Sequence, residues 1–213
     1  MGQKIRKKLR WNSKTRLEMF DLIAFDLDGT LIELNIPFDE IRKELGIERK
    51  FILEAIMEEK DEDRRREMFR VLEEFEMKSA ATAKPAFYAR ELLKSLDGKV
   101  IKGVITRNSR KSVDLVSSKL GFNFDFVIGR EDEEPKPSPR PLELALRMFN
   151  VKPSRALMVG DFLFDLISGR EAGVKTALII TEKNKEMAKS FIHYADFVFG
   201  SLKELADFLR VVK

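Results

Sequence analysis

Leu22-Ile23-Ala24-Phe25-Asp26-Leu27-Asp28-Gly29-Thr30-Leu31 is a short apolar run that stops at a carboxylate and passes at once into a glycine turn. Four consecutive apolar residues without alternation read as a strand buried on both faces, the mark of a parallel sheet. After Pro85 the chain continues in an α/β rhythm. The spacing predicts helix 86–96, strand 100–105, helix 109–120 and strand 124–128, followed by a Pro-rich loop. It then predicts helix 139–149, strand 156–160, helix 162–172, strand 174–180, helix 185–192, strand 197–199 and a last helix near 202–211. Strands alternating with helices imply a parallel sheet covered on both faces.

Between the first strand and this series the pattern changes. From Pro37 to about Lys84 the chain is charge-rich, with Phe51, Ile52, Ala55 and Ile56 on one helical face and Met68, Leu72 and Phe75 on another. Proline is absent between Pro37 and Pro85, and Gly46, the one glycine there, is placed to stop a first short helix. The expected organisation is a basic arm at 1–20, an α/β core from 21–34 and 85–213, and a helical insertion at 35–84.

Composition narrows the chemistry. The chain has 213 residues, 44% hydrophobic, which suits one domain or one domain carrying an insertion. With no Cys there is no disulfide framework, thiolate zinc site, iron–sulfur cluster or cysteine nucleophile. The single His193 excludes paired-histidine zinc motifs and leaves a histidine-based triad one possible base. Carboxylates, hydroxyls and amines must therefore carry the chemistry. No apolar run approaches the roughly 18 residues of a membrane span, and the charged start lacks the apolar stretch of a secretory signal. It reads as part of the mature chain of a cytoplasmic protein. Charged residues make up 36% and Gln occurs once, a composition that predicts a thermostable protein.

The positive charge is local. Residues 1–20 hold Lys4, Arg6, Lys7, Lys8, Arg10, Lys14 and Arg16 against Glu18, so the other 193 residues sum to −2 within a net +4. A body without a basic surface argues against nucleic acid as the partner. Trp11 could stack on a base, but a solvated tail that partly folds back is the simpler reading of the arm.

In an open parallel sheet, ligands bind at the carboxyl ends of the strands. Asp26 and Asp28 follow the first strand, Thr106 ends the strand at 100–105, Lys136 lies in the loop after 124–128, and Asp161 follows 156–160 with Asp165 one helical turn on. Crowded carboxylates repel, and without a cation at least one would have to take up a proton. Mg²⁺, which takes oxygen ligands and commonly shares a phosphate oxygen with its substrate, suits two or three convergent Asp better than Zn²⁺. An EF-hand beginning at Asp26 fails, because Leu31 and Pro37 stand where that loop needs a glycine and an acid.

These residues resemble the haloacid dehalogenase superfamily of phosphatases, in particular its phosphoglycolate-phosphatase-like members with a helical cap. The likeness rests on four motifs in the family's order, spanning about residues 21–200. They are Asp26-Leu27-Asp28-Gly29-Thr30-Leu31, the apolar run ending in Thr106-Arg107-Asn108, Lys136-Pro137-Ser138-Pro139, and Gly160-Asp161 with Asp165. The resemblance implies a Rossmann-like core with a small cap inserted after the first strand. It also implies a Mg²⁺-dependent hydrolase in which Asp26 forms an aspartyl-phosphate and Asp28 is general acid and then general base. Thr106 and the backbone N–H groups after it would hold phosphate oxygens, and Lys136 would offset charge. The metal would be held by the Asp26 side chain, the Asp28 carbonyl and Asp161, with Asp165 binding a metal water or orienting Lys136.

Arg107 departs from the simplest form of the second motif, in which Asn directly follows Thr. Arg107 and Asn108 are candidate substrate contacts, with a solvent-facing loop as the plain alternative. Arg64, Arg65, Arg66 and Arg70 could reach the site from the insertion, although charge runs on helices are usually solvated. The expected substrate is a small soluble phosphomonoester such as phosphoglycolate, a sugar phosphate or a nucleotide, handled by a monomer or homodimer. The competing readings are a phosphomutase or phosphotransferase of the same family, and an RNA-binding module acting through the arm with a vestigial site. A receiver-like signalling domain also uses Asp, Thr, Lys and Mg²⁺, but its phosphoacceptor follows a middle strand, whereas Asp26 follows the first.

Overall fold

The computed structural model describes residues 16–33, 35–48 and 51–210. Most of the basic arm, including Trp11, lies outside the described residues. Six strands form one parallel sheet: β1 (Leu22–Phe25), β2 (Ile101–Ile105), β3 (Phe126–Ile128), β4 (Ala156–Gly160), β5 (Lys175–Ile179) and β6 (Phe197–Phe199). Their order across the sheet is β3-β2-β1-β4-β5-β6, so β1 pairs with both β2 and β4. This is the Rossmann-like order, and its direction of winding reverses beside β1. The helices are α1 (Phe38–Leu45), α2 (Ile52–Glu58), α3 (Glu62–Thr82), α4 (Ala89–Leu96), α5 (Arg110–Leu120), α6 (Arg140–Phe149), α7 (Leu163–Glu171), α8 (Lys185–Ala188) and α9 (Leu202–Leu209).

Both faces of the sheet are covered, and the strand side chains alternate between them as the pleat requires. Ile23, Phe25, Val104, Leu157 and Val159 pack with Leu92, Leu96, Val113, Val116 and Leu205 of α4, α5 and α9. Leu22, Ala24, Ile105 and Met158 pack on the other side with Leu142, Ala145 and Leu146 of α6. The helices between β1 and β2 have a cluster of their own, built from Ile41, Leu45, Ile52, Leu53, Ile56, Met68 and Leu72. Gly46 stops α1 in the left-handed conformation at φ +67°, its N–H returning to the last turn.

The differences from the sequence reading are local. The fourth helix begins at Ala89 rather than residue 86, because Tyr88 takes a positive φ of 68° just before it. Strand β3 begins at Phe126, since Asp125 is used to accept the Lys102 amide at 2.8 Å. Helix α8 ends at Ala188, and a separate 3-10 turn covers Ile192–Tyr194. Phe51 does not join the apolar face of α2. It is 53% exposed and its ring meets Phe162 and Phe164 of the sheet domain, with centroids 6.2 and 5.0 Å away.

Candidate active site

The backbone N–H of Asp26 donates to Val159 O of β4 at 2.8 Å, so the ladder fixes this residue as the chain leaves β1. From there its carboxylate meets Lys136, whose Nζ lies 2.6 Å from Asp26 Oδ1, 2.6 Å from Asp165 Oδ1 and 2.7 Å from the Ile105 carbonyl. An ammonium has three donors, and here each has a buried acceptor. Asp165 is held at both oxygens, because its Oδ2 also accepts the Phe162 amide at 3.1 Å at the start of α7. Asp26, Asp161 and Asp165 each bring one oxygen within 4.8 Å of the others.

The turn after β1 depends on glycine. Gly29 has φ +88°, and a Cβ there would collide with the Asp161 carboxylate. The Thr30 hydroxyl lies 3.5 Å from Asp161 Oδ1. Asp28 is not one of those three carboxylates; its Oδ2 accepts a hydrogen bond from Asn108 Nδ2, and it lies near enough to Asp26 to feel its charge. Thr106, 4% exposed at the end of β2, accepts the Asn108 amide at 3.2 Å on its hydroxyl.

Burial dominates the electrostatics. It pushes the Asp26 carboxyl up to about 6, the Lys136 charge opposing it and that of Asp165 adding to it. Burial, with the Asp26 charge, pushes Asp28 up to about 7 against the lowering effect of its Asn108 bond. Asp161 is raised well above the ordinary carboxylate range by burial and by the charges of Asp26 and Asp165. For Lys136, burial favours loss of the proton, but the charges of Asp165 and Asp26 outweigh it and hold the ammonium above its usual value. One ammonium thus stands among three carboxylates, too little charge to keep all of them ionised near neutrality. An all-oxygen donor set of this kind fits a hard divalent cation.

The other expected residues fall on both sides of the line. Asn108 reaches the site through Asp28. Arg107 turns to the insertion instead: its Nη2 lies 2.7 Å from both Glu54 oxygens, its Nη1 donates to the Lys136 carbonyl, and its guanidinium sits 4.7 Å from the Phe164 ring centre. The arginines of α3 pair with nearby acids, Arg64 with Glu59, Arg65 with Glu62, Arg66 with Asp63, and Arg70 with Glu67 and Glu74.

The structure adds residues that the sequence did not single out. Asn184, 5% exposed before α8, donates to the Asp161 carbonyl at 2.8 Å and to Ile179 O at 2.9 Å, tying the loop after β4 to β5. Its sequence signal is only a polar residue shortly after a predicted strand. Glu76 is 3% exposed in α3 and pairs with Arg130, but it lies among surface acids in a charge-rich helix, where nothing in the sequence sets it apart.

Comparison with known proteins follows the same lines. The family model of the haloacid dehalogenase-like hydrolases matches residues 33–179. A phosphoglycolate phosphatase of Aquifex aeolicus is 31% identical over 183 residues, covering 75% of this chain and 84% of that protein. A haloacid dehalogenase-like hydrolase domain-containing protein of Arabidopsis thaliana is 30% identical over 184 residues, covering 80% and 74%. The pyrophosphatase PpaX of Bacillus cereus is 37% identical over 111 residues, half of each chain. Among solved structures, a hydrolase from Pseudomonas syringae superposes with a TM-score of 0.74 at 15% identity, covering 90% of this chain and 99% of that one. CbbY from Rhodobacter sphaeroides, in complex with phosphate, gives 0.66 at 22% identity, covering 87% and 96%. At these identities the two structures speak for the fold, while the family match and the two longer alignments speak for descent. The chain belongs to the haloacid dehalogenase-like hydrolase family.

Proposed function

We propose that the protein hydrolyses a small phosphomonoester, with Mg²⁺, through an aspartyl-phosphate on Asp26. The observation that carries the reading is the Lys136 ammonium bridging Asp26 and Asp165 beside Asp161, with Asp28 two residues after Asp26 and held by Asn108. Asp26, Asp161 and the Asp28 carbonyl are the groups that would hold the metal. Bound there, it would shield the anionic nucleophile from the anionic ester and stabilise charge on the phosphoryl oxygens.

The residues then divide the work. An Asp26 oxygen attacks phosphorus as the bond from phosphorus to the ester oxygen breaks, and protonated Asp28 gives its proton to the departing alkoxide. Water next attacks phosphorus, its proton passes to Asp28, and the bond between Asp26 and phosphorus breaks. Phosphate leaves, with both carboxyls back in their starting states. A carboxyl held near 7 is suited to both duties at neutral pH. The Thr106 hydroxyl, which accepts the Asn108 amide and keeps its own proton to donate, and the Arg107 backbone N–H hold phosphoryl oxygens, and Lys136 balances charge on the transferring group. Asp165, committed to Lys136 and the Phe162 amide, acts by orienting Lys136.

We read α1–α3 as a cap over the site and residues 1–20 as an arm outside it. Phosphoglycolate, a sugar phosphate or a nucleotide is the proposed substrate, and the working form is a cytoplasmic monomer or homodimer. Among the described residues no helix is long and apolar enough to cross a membrane. The test is release of inorganic phosphate from p-nitrophenyl phosphate with and without Mg²⁺. Asp26→Asn is expected to reduce kcat by about 10³-fold or more, the size of loss that follows removal of a nucleophile. An undiminished Asp26→Asn variant rejects the mechanism, and transfer to an added sugar hydroxyl without phosphate release selects the phosphomutase alternative.

A further inference from the structure

Glu76 and Arg130 form an ion pair between α3 and the loop after β3, with side chains only 2% and 5% exposed. Burying two charges costs more solvation than a hydrophobic pair of similar volume would, so such a pair is weak evidence for stability. Its place in the fold suggests another use. Glu76 Oε1 accepts from Arg130 Nη1, while Glu76 Oε2 accepts the Ser109 amide at 3.0 Å. The backbone N–H of Arg130 donates to the Asn108 carbonyl at 3.1 Å. The carbonyl and the amide of one peptide unit, 108–109, are therefore gripped by the two members of one ion pair.

That peptide unit carries Asn108, whose Nδ2 donates to Asp28 Oδ2. Asp28, Asn108 and Glu76 line one small cavity of about 10 Å³ together with Leu27 and Ala80. Arg130 also lies 5.6 Å from the centre of the Phe69 ring on α3, which fixes the guanidinium from the side of the helix. A side-chain amide on one Asp28 oxygen leaves the other free to carry the transferable proton.

We propose that Glu76 and Arg130 are positioning residues for the acid–base step: by clamping the 108–109 peptide they hold Asn108 against Asp28, so that a helix of the insertion sets the placement of the general acid. The inference rests on the phosphatase reading and extends it to two residues that touch neither substrate nor metal. Their influence runs through Asn108, and it concerns protonation of the leaving group rather than binding of the phosphoryl group.

The experiment compares kcat/KM for two esters in the Mg²⁺-loaded protein: p-nitrophenyl phosphate, whose leaving group departs without a proton, and the alkyl phosphate that the wild type turns over fastest. Because kcat/KM covers only the steps up to phosphoryl transfer, hydrolysis of the aspartyl-phosphate does not enter. The Glu76→Leu/Arg130→Met double variant removes both charges and leaves neither unpaired. Its alkyl-to-aryl ratio is expected to fall about tenfold, and the same pair of changes placed in an Asn108→Ala background is expected to lower that ratio no further. Should the double variant fail to fold, Glu76→Gln, which keeps an acceptor for the Ser109 amide, carries the same test with an expected fall of about threefold. Equal losses on both esters, an unchanged ratio, or a fall undiminished without Asn108 overturns the proposal and leaves a structural ion pair. A wild type active only on the aryl ester also overturns it. A wild type that releases phosphate from neither ester rejects the phosphatase reading, and the proposal with it.

Discussion

Asp28, Asp26, Asp161 and Glu76 all have carboxyls pushed above their ordinary range, burial being the largest cause in each. The consequence for stability has a definite sign. A carboxyl with a higher pKa folded than unfolded binds its proton more tightly in the folded state, so stability falls as pH rises from the unfolded value toward the folded one. For Asp28 that window runs from 3.8 to about 7. Metal-free protein is therefore expected to melt at a higher temperature at pH 5.5 than at pH 8. Asp28→Asn is expected to reduce this difference and to raise stability at pH 8 by about 1–3 kcal/mol, the gain typical when a group retained for function is neutralised. Scanning calorimetry in EDTA at the two pH values measures both. A metal-free protein whose melting temperature rises across the interval would mean that these carboxylates are better solvated than their burial implies.

Asp26, Asp28, Asp161 and Asp165 were legible because each follows an apolar run within a few residues, so the strand that places it is written beside it. Lys136 and Thr106 were legible by their order along the chain. Glu54, Glu76 and Asn184 were not. Their partners stand 53, 54 and 23 residues away, and no local pattern separates them from the other acids and amides of the surface.

The turn after β1 and the helices of the insertion impose their own constraints. Gly29 has a positive φ and faces the Asp161 carboxylate, so Gly29→Ala meets a backbone penalty and a collision together. It is expected to lose about 2 kcal/mol or more in urea unfolding and about 10²-fold in kcat/KM, since the turn cannot relax without moving Asp28 or Asp161. Helix α2 reaches the sheet domain through Phe51 against Phe162 and Phe164 and through Glu54 against Arg107. An aromatic contact and a partly exposed ion pair together contribute about 1–2 kcal/mol. Phe51→Ala/Glu54→Ala is therefore expected to loosen the insertion from the sheet domain and lower kcat/KM about tenfold, with the melting temperature falling by no more than about 8 °C. A drop in melting temperature as large as that of a core truncation would assign these contacts to folding instead. Arg107 illustrates why the helices' role was hidden: as the residue after Thr106 it reads as a substrate contact, and only the approach of α2 reveals its carboxylate partner.

For the molecule as a whole, the crowded carboxylates would make the proposed Mg²⁺ a folding ligand as well as a cofactor. A ligand that binds only the folded state at 100 times its Kd adds about 2.7 kcal/mol, which for a domain of this size is roughly 5–10 °C. Mg²⁺ added to EDTA-treated protein is expected to raise the melting temperature by that order, and Asp161→Asn is expected to abolish the rise. The metal-free melt also tests the thermostability read from composition: a midpoint within the mesophile range of about 45–65 °C rejects that reading.

The amino-acid sequence by itself determined the sheet, its parallel sense, the insertion after β1 and the four places where polar residues meet the sheet's carboxyl edge. These follow from short-range physics, because an apolar run ended by a turn former specifies a strand and its exit within about ten residues. The tertiary structure alone decided which of the 36 acidic residues turn inward and what each one holds. The pairing of Glu76 with Arg130, the bond from Asn108 to Asp28 and the turning of Arg107 to Glu54 are contacts between groups far apart along the chain. Such contacts form only when the sheet and the insertion pack together, because burial makes a polar group without a partner costly and so selects partners that local sequence does not reveal.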